Sequence, residues 1–153
     1  MGQGKKSGSS DAGYAGDLDA REAWQLLKAE DKSVLVDVRT RAEWSFVGVP
    51  DLSSLDKETI LLEWQSFPPS PRPAAFADEL AAEFARRGID RASPVLFLCR
   101  SGNRSRAAAI ACTEAGFQRC HNVSDGFEGA LDEERHRNTL NGWKRSGLPW
   151  MQS

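Results

Sequence analysis

The sequence predicts an α/β fold, an open and mainly parallel sheet flanked by helices on both faces. Two aliphatic runs, Val34-Leu35-Val36-Asp37-Val38 and Val95-Leu96-Phe97-Leu98, lack the apolar/polar alternation of a half-exposed strand and read as strands buried on both sides. Ahead of each run, apolar residues recur at helical spacing: Ala23, Leu26 and Leu27 before the first, Phe76, Leu80 and Phe84 before the second. Strands that alternate with sheet-covering helices pair in parallel.

In chain order, residues 1–16 read as a flexible tail ahead of a single domain over 17–153. Asp19, with Glu22 three positions on, makes a capping box that opens a helix running to about Ala29. The Val34–Val38 strand follows. At its C-terminal end stand Asp37 and Arg39, charged residues expected to form structural hydrogen bonds rather than to do chemistry. Phe46–Leu52 reads as a turn and Thr59–Trp64 as a further strand. The proline-rich run Gln65–Pro73 can continue neither helix nor sheet and is expected as a surface loop, with Trp64 and Phe67 on the rim of a site. A helix from Pro73 is closed by Gly88, the Val95–Leu98 strand leads to a helix from Asn103 to about Ala115 ended by Gly116, and Cys120–Val123 adds a strand. Beyond Phe127 the pattern suggests short helical pieces around a solvated polar run, Asp132–Asn138.

Composition excludes several classes of function. With 153 residues the chain forms one domain, and its net charge of −2 supplies no basic field to recruit nucleic acid. Its apolar runs fall well short of the roughly 18 residues of a membrane span, and no apolar core follows the N-terminal residues as in a secretory signal. A soluble, cytoplasmic protein is expected. Cys99, Cys112 and Cys120 are odd in number and lack C-x-x-C spacing, which argues against a disulfide framework. Cys120 and His121 are neighbours on a strand and so point to opposite faces, and no second pair stands at ligand spacing. No metal and no cofactor is expected.

Chemistry concentrates in Cys99-Arg100-Ser101-Gly102-Asn103-Arg104-Ser105, between the second buried strand and an Ala-rich helix. A cysteine there is a candidate nucleophile, because the unpaired amides of the turn and helix N-terminus are expected to converge on its sulfur and favour a thiolate. Gly102 lets the backbone bend, and Arg100 and Arg104 make the pocket cationic and suited to a small anion. Arg100 is the candidate for recognising that anion, whereas Arg104 either contacts it or braces the loop. Ser101, Asn103 and Ser105 shape the turn and cap the helix. Cys112 and Cys120 read as core.

These residues resemble a single-domain rhodanese-like sulfurtransferase. The six-residue C-x-x-x-x-R loop is Cys99–Arg104, the D-x-R-x-x-x-E/W segment is Asp37–Trp44, and the third segment, N-x-x-x-G-F-x-x with its closing G-L-P, is Asn122–Gly129 and Gly147–Pro149. The resemblance covers about residues 18–150. Where the family usually has G-H-I-P-G-A, this chain has Gly48-Val49-Pro50-Asp51-Leu52, so the histidine is missing. The resemblance implies a persulfide on Cys99, a small anionic sulfur donor such as thiosulfate, bound by Arg100 to Ser105, and cyanide or a thiol as acceptor. A sulfur-relay module that hands the atom to a protein partner is the alternative. A phosphatase or arsenate reductase ranks lower, since its loop holds one residue more.

Overall fold

The computed structural model describes residues 13–66 and 70–152. In it β1 (Gly16–Leu18) leads into α1 (Ala20–Ala29), whose Asp19 carboxylate accepts from the Glu22 amide while Glu22 accepts from the Asp19 amide, the expected capping box. Then come β2 (Val34–Asp37), α2 (Arg41–Val47), β3 (Val49–Pro50), a 3-10 turn at Ser53–Leu55 and β4 (Ile60–Leu61). A hairpin of β5 (Gln65–Ser66) and β6 (Ser70–Pro71) precedes α3 (Pro73–Arg87), which Gly88 ends in the left-handed region at φ +70°. The chain closes through β7 (Pro94–Leu98), α4 (Asn103–Glu114), β8 (Arg119–Val123) and β9 (Trp150–Met151).

Five strands form one parallel sheet in the order β1-β8-β7-β2-β4. β7, with all five residues buried, is its centre. Because side chains alternate across a strand, Val34, Val36, Val95 and Phe97 face α3 and α4, where they meet Phe76, Leu80, Phe84, Ala108 and Cys112. Leu35, Leu96 and Leu98 face the other way, onto Ala23 and Leu27 of α1 and onto Phe127 and Trp143 of the C-terminal segment. Helices on both faces confirm the α/β expectation.

Several local readings change. Gly13–Gly16, expected within the tail, belong to the fold: Tyr14 is buried, the Ala15 amide donates to the Cys120 carbonyl, and β1 pairs with β8. Residues 1–12 lie outside the described residues. The strand expected over Thr59–Trp64 pairs only at Ile60–Leu61. Part of the proline-rich run is a hairpin rather than a bare loop, and its residues 67–69, with Phe67, lie outside the described residues. Trp64 is no rim residue: it is 5 % exposed and meets Phe76 edge to face at 5.3 Å. Beyond Phe127 the described residues hold turns and β9, with no helix among them. There Trp143 is buried against Trp24, its indole N–H donating to the Pro149 carbonyl. No helix among the described residues is long and apolar enough to cross a membrane.

Candidate active site

Cys99 stands one residue past β7, at the C-terminal edge of the sheet, where an open α/β sheet places its ligands. It is 1 % exposed. Its Sγ accepts from the Gly102 amide at 3.2 Å and lies 3.2 Å from Ser105 Oγ. The sequence reading brought the whole ring of loop amides onto this sulfur, whereas Gly102 alone among them reaches it. The amides of Ser101, Asn103, Arg104 and Ser105 have no protein acceptor among the described residues. They remain available to an anion.

Their orientation follows from what their carbonyls do. Across a planar trans peptide the C=O of one residue and the N–H of the next point in opposite directions. The Cys99 carbonyl accepts from the Phe127 amide at 2.8 Å, and the Arg100 carbonyl accepts from the amides of Glu128 and Gly129 at 3.0 and 3.2 Å. The Gly102 carbonyl accepts from Asn122 Nδ2 at 3.2 Å. The first two sets of bonds pull the Cys99 and Arg100 carbonyls toward the C-terminal segment, the third holds the Gly102 carbonyl toward β8 and α4, where the Arg106 amide also donates to it at 3.3 Å, and each turns the following amide, of Arg100, Ser101 or Asn103, the other way. Gly102 sits at φ +106° with the Ser124 carbonyl where a Cβ would be, so only glycine fits.

Two ion pairs frame the loop. Arg104 makes a bidentate bond to Glu43 of α2, at 2.8 and 2.9 Å. Of its two expected roles, bracing is the one its geometry displays. Burial pushes the Glu43 carboxyl up, but Arg104 and the Thr40 amide and hydroxyl outweigh it and hold the group at about 2. The Arg104 guanidinium is in turn shifted up, chiefly by its bond to Glu43. Beneath the loop Asp37 and Arg39 are both fully buried and bonded at 2.6 Å. Arg39 also donates to the Gly48 carbonyl and stacks 4.2 Å above the Phe127 ring, so this pair holds structure as expected. Arg100, the candidate for recognising an anion, is exposed.

The sequence reading missed the contributions of Glu43, Asn122 and Asp17. Glu43 carried a readable signal, since Thr40-x-x-Glu43 is a capping box and opens α2. Asn122 showed only as the first residue of the N-x-x-x-G-F segment and Asp17 not at all, because their role arises from register: Asp17 of β1 pairs with Asn122 of β8, and Asn122 bonds Ser105 of α4. Cys112 and Cys120 are fully buried, and desolvation pushes both thiols up, that of Cys120 to about 11. Asp132, Glu134 and His136 bring oxygen and nitrogen atoms within 4.8 Å of one another. The Asp132 oxygens there already accept from the Glu134 and His136 amides and from Thr139, which accounts for the turn without an ion.

A family model described as "STR4 middle domain" matches residues 15–153. An uncharacterized protein of Rickettsia conorii, RC0915, is 38 % identical over 130 residues, covering 84 % of this chain and 91 % of its own. The thiosulfate sulfurtransferase GlpE of Actinobacillus pleuropneumoniae is 26 % identical over 133 residues, with 87 % and 90 % covered. Among solved structures, Rv0390 from M. tuberculosis superposes with a TM-score of 0.80 at 51 % identity, over 92 % of this chain and 99 % of that one. The rhodanese-like domain of Alr3790 from Anabaena sp. gives a TM-score of 0.57 at 15 % identity, over 90 % and 79 %. That last likeness speaks to fold alone.

Proposed function

The chain belongs to the STR4 middle-domain family and has the rhodanese-like fold, and from that premise we propose that it is a sulfurtransferase working through a persulfide on Cys99. The supporting observation is a cysteine sulfur at the floor of a loop whose amides at Ser101, Asn103, Arg104 and Ser105 have no acceptor of their own among the described residues. Such amides act on sulfur as an oxyanion hole acts on oxygen. The likeness to a thiosulfate sulfurtransferase along most of both chains supports the same reading.

Once deprotonated, Cys99 attacks the outer sulfur of thiosulfate. The S–S bond of the donor breaks, sulfite leaves with the bonding electron pair, and the transferred sulfur remains on Sγ as a persulfide anion. The cradle then faces the new negative charge. Cyanide or a thiolate attacks that outer sulfur, departs as thiocyanate or a new persulfide, and returns Cys99 as thiolate. With Cys99 1 % exposed, a narrow donor arriving end-on suits the site, and exposed Arg100 is the group to meet its charge.

Intact mass spectrometry after incubation with thiosulfate tests the reading. The wild type should gain one sulfur that cyanide removes, and Cys99→Ser should gain none. Equal labelling of both proteins, or hydrolysis of an aryl phosphate with no sulfur gained, overturns it. Should a persulfide form that protein thiols remove far faster than cyanide does, the chain serves as a relay.

A further inference from the structure

Ser105 Oγ lies 2.6 Å from Asn122 Oδ1 and 3.2 Å from Cys99 Sγ. A hydroxyl has one proton to give. Which neighbour receives it is decided by Asn122, whose Nδ2 lies 3.0 Å from Asp17 Oδ1 and 3.2 Å from the Gly102 carbonyl. Both of those are acceptors, so the amide nitrogen must face them, and Oδ1, which only accepts, is turned to Ser105. Two oxygens 2.6 Å apart require a proton between them. Asp17 is itself held by the Tyr14 hydroxyl at 2.8 Å. With Asn122 2 % and Ser105 0 % exposed, water offers neither group another partner.

We propose that Asn122, anchored by Asp17, is a positioning residue that takes the Ser105 proton, so that Ser105 presents a lone pair to Cys99 and the resting sulfur is a thiol donating its S–H to Ser105 Oγ. The inference builds on Cys99 as the sulfur-carrying nucleophile and adds what controls its release. Sγ receives one donor, the Gly102 amide, and the second polar neighbour stabilises the protonated form. The nucleophile therefore rests capped by its own proton, and attack begins when that proton leaves. The charged groups facing Cys99 are Arg104 with its partner Glu43 on α2, the Asp37–Arg39 pair at the end of β2, Arg100 on the same loop, and Asp17 on β1 behind Asn122. All stay in place in the variants below.

The test is a pH titration of thiolate ultraviolet absorbance, each protein read against the same protein carrying Cys99→Ser. Asn122→Ala frees the Ser105 proton to turn onto Sγ, so the midpoint should fall by about one unit, about tenfold in thiolate fraction at a fixed lower pH. In a Ser105→Ala background the same substitution should move the midpoint no further, because the hydroxyl that carries the effect is gone. Ser105→Ala alone removes the acceptor of the S–H and should leave the midpoint unchanged or lower. A midpoint that rises in Ser105→Ala shows the hydroxyl donating to a thiolate and overturns the proposal. So does an Asn122→Ala shift that is absent, upward or preserved without Ser105. If Asn122→Ala does not fold, the sign of the Ser105→Ala shift alone decides. None of these readings uses sulfur transfer, so a failure of the persulfide reading and a failure of this one are told apart.

Discussion

The Glu43–Arg104 pair fastens α2 to the Cys99 loop, and Glu43→Gln isolates what that bond is worth. Glutamine still accepts from the Thr40 amide and hydroxyl, so the capping box of α2 survives. What is lost is the second carboxylate oxygen and the charge, and an amide N–H₂ now faces a guanidinium. Holding the carboxyl at about 2 rather than 4.5 corresponds to about 3 kcal/mol. The two side chains keep 20 % and 22 % of their exposure, so solvent screening brings the expected loss to about 2 kcal/mol. Urea unfolding at neutral pH should show a lower midpoint with an unchanged slope, and the melting temperature should drop by about 4–8 °C. The pH dependence follows from the sign of the shift. A carboxyl depressed in the folded state contributes fully above about pH 4.5 and loses that contribution as pH falls toward 2. The gap between wild type and variant should therefore shrink by about half near pH 3. A gap below about 0.3 kcal/mol at neutral pH, or one independent of pH down to 3, would refute the claim that a partly buried ion pair holds the loop.

Three further outcomes are expected. Gly102→Ala and Gly126→Ala, at φ +106° and +70° with backbone of Ser124 and of Arg100 in the way of a Cβ, should each destabilise by more than about 2 kcal/mol and lose persulfide loading, checked by thermal melts and intact mass. Arg39→Met leaves the fully buried Asp37 carboxylate without its partner and should cost about 3–5 kcal/mol in urea unfolding; a loss under about 1 kcal/mol would mean that other groups satisfy it. Cys112 and Cys120 should resist thiol reagents until the protein unfolds, and Cys112→Ala should leave persulfide loading intact, as peptide mapping of labelled native and denatured protein would show.

The legible parts of this fold are those where the sequence pattern and the burial have one cause. β2 and β7 are buried on both faces, so their unbroken aliphatic runs stand out, and α3 has its Pro at the first helical position and Gly at its end. β1 did not show, and of the strand expected over Thr59–Trp64 only Ile60–Leu61 pairs. Both are edge strands, of three and two residues, too short for any period to fix their bounds, and they pair because β8 and β2 already offer open edges. α2 spans seven residues with none buried, so it lacks an apolar stripe and is set by its cap and by Arg104. Trp64 was misplaced because an aromatic beside a proline-rich run looks like a rim, while in space Phe76 of α3 covers it. In the site, Cys99 was legible from its place between strand and helix. The Tyr14–Asp17–Asn122–Ser105 chain was not, for it joins residues up to 105 positions apart through strand register.

The third sequence segment, Asn122–Gly129, explains why the loop carries free amides at all. A six-residue turn left to itself would bend its carbonyls and amides toward whatever polar group came near. Here Phe127, Glu128 and Gly129 donate to the Cys99 and Arg100 carbonyls, and Asn122 donates to the Gly102 carbonyl. Those acceptors are thereby used up on one side of the loop, and peptide planarity leaves the amides of Arg100, Ser101 and Asn103 directed to the other. Gly126 at φ +70° is what lets the donating strand of backbone approach Arg100 this closely. The loop is thus shaped by two segments. The cysteine loop supplies the N–H groups, and β8 with the segment after it dictates which way they point, so substitutions at Gly126 should abolish sulfur loading even though no side chain there reaches Cys99.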